Sequence, residues 1–185
     1  MAQNYPKAVE ELTPNLLSLG VIQKVLQNLL KEHVTIRDLL TIVEALADYA
    51  PVAKDPDVLT EYVRQRLARS IVKQYEIPDG VLPLITIDQK MEDLLRDKIQ
   101  KSDYGSYLSL DPGLAQKMLT SIHQAFDKVA HLHHQPVLLC SPLLRRHIKK
   151  FLDRFLPQVV VLSHNELTQQ TKIQSLGTVT LTYAD

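Results

Sequence analysis

Three helical periods follow one another over residues 17–75, LSLGVIQKVLQNLLKEHVTIRDLLTIVEALADYAPVAKDPDVLTEYVRQRLARSIVKQY, and none of them has a second apolar face. A helix with a single apolar stripe is stable only against a partner, so the three must pack on one another as a helical subdomain. The first starts at Ser18 and places Leu19, Ile22, Val25, Leu26, Leu29 and Leu30 on one side. Gln23, Lys24, Gln27, Asn28 and Lys31 fill the other. Thr35 followed by Asp38 is a capping arrangement for the second helix, with Asp38 near the positive end of its dipole. That helix turns Ile36, Leu39, Leu40, Ile42, Val43 and Leu46 inward and closes at Pro51. Asp55-Pro56 opens the third, with proline in the first turn, where its missing N–H costs nothing. It runs to about Tyr75 with Val58, Leu59, Tyr62, Val63, Leu67 and Ile71 inside. Ahead of these, residues 5–12 read as a short helix ended by Pro14.

Ile77, Pro78, Asp79 and Gly80 form a turn signal, and the grammar changes after it. The expected division is a helical subdomain over 1–77 and an α/β subdomain over 78–185. Residues 81–87, VLPLITI, read as a strand whose Pro83 favours an edge position or the strand's first residues. A helix over about 88–101 follows, then a loop around Tyr104 and Gly105 and a short strand at 107–110. Asp111-Pro112 caps a helix to about Ala130. The apolar strand 137–140, a helix over 142–155 and the apolar strand 159–163 make a parallel βαβ crossover. Val179, Leu181 and Tyr183 alternate with threonines, the period of a half-buried strand. The fold class is therefore mixed α+β: helices first, then a small α/β subdomain.

The 185 residues suffice for one large or two small domains, and a formal net charge of zero argues against a general nucleic-acid binder. Cys140, the only cysteine, excludes an internal disulfide and fits a reducing compartment. No apolar run reaches the roughly 18 residues that a membrane span needs, and the start is too polar for a signal peptide. A soluble, cytoplasmic chain is the expectation.

Candidate chemistry is sparse. Cys140 stands six residues before Arg146 at a strand–helix junction, the spacing of a cysteine-dependent phosphatase. A phosphate loop needs small residues and free N–H groups, whereas this one holds Pro142, Leu143 and Leu144. A strand end with Ser141 as N-cap accounts for it better. His123, His131, His133 and His134 invite a metal, but no Cys, Asp or Glu completes a set, and histidines suit a helix C-terminus. Arg145, Arg146, Lys149, Lys150 and Arg154 make a basic amphipathic helix whose Leu144, Ile148, Phe151, Leu152 and Phe155 cover the strands. Its charges are expected to form a solvated outer face. The helix at 37–49 exposes Asp38, Glu44 and Asp48, which repel phosphate, so a DNA-reading helix-turn-helix is disfavoured. With no glycine-rich phosphate loop and no serine elbow, no enzyme, cofactor or metal is expected.

The run Gln-Lys-Val-Leu-Gln-Asn-Leu-Leu at 23–30, followed at matched spacing by Ile-Arg-Asp-Leu at 36–39, resembles the cytoplasmic C-terminal part of the flagellar type III export-gate family (the FlhA family). Its injectisome counterparts of the SctV, InvA and MxiA type share the Ile-Arg-Asp segment. Leu17–Gly20, Leu46–Pro51, Leu59–Arg69 and VVVLSHNELTQQTKIQSLGTV at 159–179 extend the resemblance over nearly the whole chain.

The resemblance implies a non-enzymatic part of an export machine on the cytoplasmic side of the bacterial inner membrane. The family's cytoplasmic portion forms a nonameric ring that receives export chaperones with their flagellar substrates. This chain would hold its third, helical and ring-forming subdomain and its fourth, α/β subdomain, with the tail of the second at 1–14. The membrane region and the chaperone-docking cleft would lie outside it, so the chain is expected to be a fragment. Partners implied are chaperones, substrates, other export-apparatus proteins and neighbouring copies, with no nucleic acid. Lys24, Gln27, Arg64 and Arg69 are the expected ring contacts, and Ile77, Pro78, Asp79 and Gly80 the expected hinge.

Overall fold

The computed structural model describes residues 10, 12–102, 105–132 and 135–181. The helix expected at 5–12 lies, apart from Glu10 and Leu12, outside them, as do Tyr104, His133, His134 and Tyr183. The chain divides into two compact units, Met1–Ile71 and Val72–Asp185, ahead of the expected 77/78 boundary.

In the first unit α1 (Leu19–Lys31), α2 (Leu39–Tyr49) and α3 (Pro56–Arg66) each begin where a capping side chain supplies an acceptor. Ser18 accepts from Val21 N, Asp38 from Thr41 N and Asp55 from Asp57 N. Asp38 is thus the cap itself rather than a first-turn acid, and α2 starts at Leu39. Ile42, Val43, Ala45 and Leu46 fill its buried side, while Ile36, Leu39 and Leu40 are only half-buried. On α1 the buried stripe is Ile22, Val25 and Leu29, narrower than expected. Leu19 and Leu30 are 71% and 51% exposed, so the sequence reading of them as core is corrected. The third helix does not run unbroken to Tyr75. It is interrupted at Leu67 and resumes as α4 (Ala68–Lys73), although Leu67 N still bonds Val63 O and Ile71 N bonds Leu67 O. Val25, Leu29, Ile42, Leu46, Leu59 and Val63 are fully or nearly fully buried and make the core of this unit.

The second unit is a four-stranded, all-parallel sheet in the order β5-β4-β1-β6, built from β1 (Val81–Ile87), β4 (Val137–Cys140), β5 (Val161–Ser163) and β6 (Lys172–Val179). β1 is an inner strand, which corrects the edge position that Pro83 suggested. β4 pairs only with Leu84, Ile85 and Thr86, so Pro83 falls where a single neighbour, β6, runs alongside and a missing donor is tolerated. The last strand lies at Lys172–Val179, earlier than the Val179–Tyr183 alternation suggested. Helix α5 (Gln89–Asp97), capped by Asp88, ends well before residue 101. Ile99–Ser102 instead forms β2, which pairs antiparallel with β3 (Gly105–Leu108). Helices α6 (Pro112–Asp127), capped by Asp111, and α7 (Pro142–Leu152) complete the unit. Its core gathers Ile85, Met91, Leu95, Met118, Ile122, Leu138, Leu144, Ile148 and Val161.

Candidate functional site

The polar residues of the helical unit fall into two classes. Lys24 and Gln27 stand three residues apart on α1, and Arg69 is on α4; all three are exposed. Arg64 belongs to the other class, which corrects its expected place on the outward face. It is 2% exposed, and its Nη1 donates to Glu32 Oε2 at 3.1 Å. A guanidinium this far inside is tolerated only when paired. One turn earlier on α3, Thr60 is buried and donates to Pro56 O at 2.6 Å. Asn28 of α1 donates to both Thr60 Oγ1 and Asp57 Oδ1, at 3.2 and 3.1 Å. α1 and α3 are therefore joined by a polar seam beside their apolar one. The sequence signal for it is the set Asp57, Thr60 and Arg64, spaced three and four apart on α3.

At Ile77, Pro78, Asp79 and Gly80 the backbone turns. Gly80 N donates to Ile77 O at 2.8 Å and Ile77 N to Val81 O at 2.9 Å. Gly80 has φ +70°, a left-handed conformation that costs glycine little.

The Cys140–Arg146 junction has the wrong geometry for a phosphate. Cys140 is fully buried, with its Sγ 3.7 Å from Leu162 O. Arg146 Nη2 donates to Ser106 Oγ at 2.8 Å. The helix N-terminus that a phosphate would use is occupied by Glu92, whose Oε1 accepts from Ser141 N at 2.7 Å. A carboxylate at that spot satisfies the helix dipole and repels an anion.

The basic face of α7 is solvated only in part, with Lys150 and Arg154 exposed as expected. Arg145 and Lys149 are 1% and 6% exposed. Arg145 donates to Val161 O, and Lys149 Nζ donates to Pro157 O and Val159 O at 3.1 Å each while pairing with Asp153 at 2.9 Å. Both satisfy carbonyls of the segment that leads into and forms β5, where cations beside buried carbonyls are worth more than in water. Phe155, expected on the apolar side, is 55% exposed. Among the described residues no group of His, Cys, Asp and Glu could hold a metal, and His123 pairs with Asp127 on the surface of α6.

The model of the FHIPEP family matches residues 1–172. The flagellar biosynthesis protein FlhA of Bacillus subtilis is 42% identical over 179 residues, covering 97% of this chain and 26% of that protein. FlhA of Escherichia coli is 40% identical over 97% of this chain and 25% of its own length. The low calcium response locus protein D of Yersinia pestis is 32% identical, over 98% of this chain and 26% of its own. The chain thus spans about a quarter of the length of the relatives it matches. Among solved structures, the Chlamydia pneumoniae CdsV protein superposes with a TM-score of 0.90 at 30% identity, covering 97% of this chain and 51% of that one. Nonameric EPEC SctV-C gives 0.87 at 33% identity, with 97% and 53% covered. The Chlamydia pneumoniae CdsV and CdsO complex gives 0.89 at 30% identity, with 97% and 53% covered. By sequence and by fold, the chain belongs to the FHIPEP family, that of the flagellar and type III secretion export-gate proteins related to FlhA.

Proposed function

We propose that this chain works as cytoplasmic ring subdomains of a flagellar protein-export gate, docking chaperones and substrates without chemistry of its own. The observation that carries the reading is the likeness, over nearly the whole chain, to a protein solved as a nonameric ring. The higher identity to the FlhA proteins of Bacillus subtilis and Escherichia coli than to the low calcium response protein supports the flagellar system over an injectisome. The CdsV and CdsO complex supports protein partners. Lys24, Gln27 and Arg69 are the contacts offered to neighbouring copies, because they are exposed on the helical unit while Arg64 is committed to Glu32. Ile77, Pro78, Asp79 and Gly80, which lie inside the second unit just past the Ile71–Val72 division, act as the pivot of the sheet that follows them; a single unvarying angle across several crystal forms would count against it. Glu92 at the α7 N-terminus supports a non-enzymatic reading over the phosphatase. No helix among the described residues is long and apolar enough to cross a membrane, so attachment to the inner membrane would come from parts of the protein outside this chain.

Replacing the matching quarter of Bacillus subtilis FlhA by this chain tests the assignment, read as flagellin in the medium. Secretion is expected to return. A chimera that is present at the membrane yet secretes nothing overturns the assignment, and one that works only in the Yersinia protein moves it to an injectisome.

A further inference from the structure

Two apolar lobes of about 280 and 390 Å³ adjoin along α6, and His123 and Leu156 line both. Together they follow α6 from Gln116 to Asp127, a run of about 16 Å at 1.5 Å per residue, and reach Ala130 just beyond its end. Leu119, Phe126 and Leu156 lie half-buried in the groove, and Phe155 is 55% exposed at its wall. The rim is neutral amide and hydroxyl, and Gln135 Nε2 donates to Gln158 O at 3.0 Å across one end. Among the described lining residues Asp127 is the one with a formal charge at neutral pH, and His123 lies beside it.

We propose that this groove receives an amphipathic helix of a partner protein, anchored by apolar side chains one to two turns apart and by a lysine or arginine set against Asp127. The two lobes call for two anchors on one face of the ligand, the spacing that i, i+4 and i+7 positions supply. The length suits about three turns. One wall is a helix whose backbone groups bond within it, so it presents no row of free donors and acceptors to an extended strand. A helical ligand brings its own backbone bonds already made. A neutral rim leaves no partner for charges on the ligand's contact face, and the single carboxylate at the lip selects a cation. The groove lies wholly in the second unit, so this site is independent of the ring contacts on α1 and α4.

The test uses the whole chain and a fluorescein-labelled alanine–glutamine helical peptide with leucines at i, i+4 and i+7 and one lysine beyond the last. Docking with the peptide's lysine-bearing end toward the end of α6 brings that lysine to Asp127. Anisotropy titration is expected to show saturable binding, roughly two- to fivefold weaker when glutamate replaces the lysine. Asp127→Asn should abolish that difference. Phe155→Ser, at an exposed position and checked for unchanged circular dichroism, should weaken binding by about tenfold. Absence of binding at millimolar chain overturns the proposal. So does equal binding by a peptide broken with a central proline, which assigns an extended ligand. Self-association of the chain that Phe155→Ser removes also overturns it, since the occupant is then a second copy.

Discussion

Arg64 shows how a residue's chemistry is reassigned by its neighbours. On the sequence it is one more cation on an amphipathic helix; in the structure its guanidinium is buried against Glu32, which is itself 15% exposed. Truncation takes the guanidinium away from a largely buried carboxylate. Arg64→Ala should therefore cost about 3 kcal/mol in chemical denaturation, and a paired Arg64→Met, Glu32→Leu variant should recover part of it. Asp111 illustrates the opposite, a polar residue whose role was readable in advance. Its carboxylate accepts from Leu114 N at 2.9 Å at the start of α6, and that backbone bond, ahead of other causes, holds its pKa below the ordinary aspartate value. A depressed folded pKa gives stability that is present above the unfolded pKa, near pH 4, and lost as pH falls through the lower folded value. Asp111→Asn keeps a capping oxygen but cannot titrate. Its unfolding free energy should fall less than that of the unaltered chain between pH 6 and pH 3, measured by urea denaturation at each pH.

At the scale of elements, the caps were legible because one side chain decides each of them: Ser18, Asp55 and Asp111 all stand at helix starts as read. The βαβ crossover was legible because its two strands are continuous apolar runs with a helical period between them. The β2–β3 hairpin was not. Ile99–Ser102 is polar and exposed in three of its four residues, and its strand character comes from pairing with Gly105–Leu108 rather than from its own pattern. β6 was missed for a related reason: most of Lys172–Val179 is exposed, so no alternation marks it before β1 is beside it. The candidate interaction residues were less legible still, since Arg64 and Lys24 carry the same kind of charge and only packing separates them. Lys149 makes the same point within α7. Removing its ammonium leaves the carbonyls of Pro157 and Val159 without that donor, so Lys149→Ala should destabilise the second unit by about 2 kcal/mol in thermal or denaturant unfolding.

Over the whole molecule, the proposed function places the working parts on surfaces rather than in pockets of chemistry. The one cysteine is sealed in the core of the second unit, and the helix end beside it is closed by Glu92. Among the residues open on the helical unit are Lys24, Gln27 and Arg69, together with the exposed Leu19 and Leu30 of α1 and Val52. Under the proposed ring function, for which a relative solved as a nonamer is the support, these are faces on which neighbouring copies would meet. The most direct measurement is disulfide trapping in the Bacillus subtilis chimera with two introduced cysteines, at positions 24 and 69 or at 27 and 69. Cys140 of this chain is buried and will not compete. Mild oxidation is expected to yield a ladder of covalently linked subunits for at least one of these pairs, dependent on assembly at the membrane. Chimeras that secrete flagellin normally while every introduced thiol remains freely alkylated would contradict it.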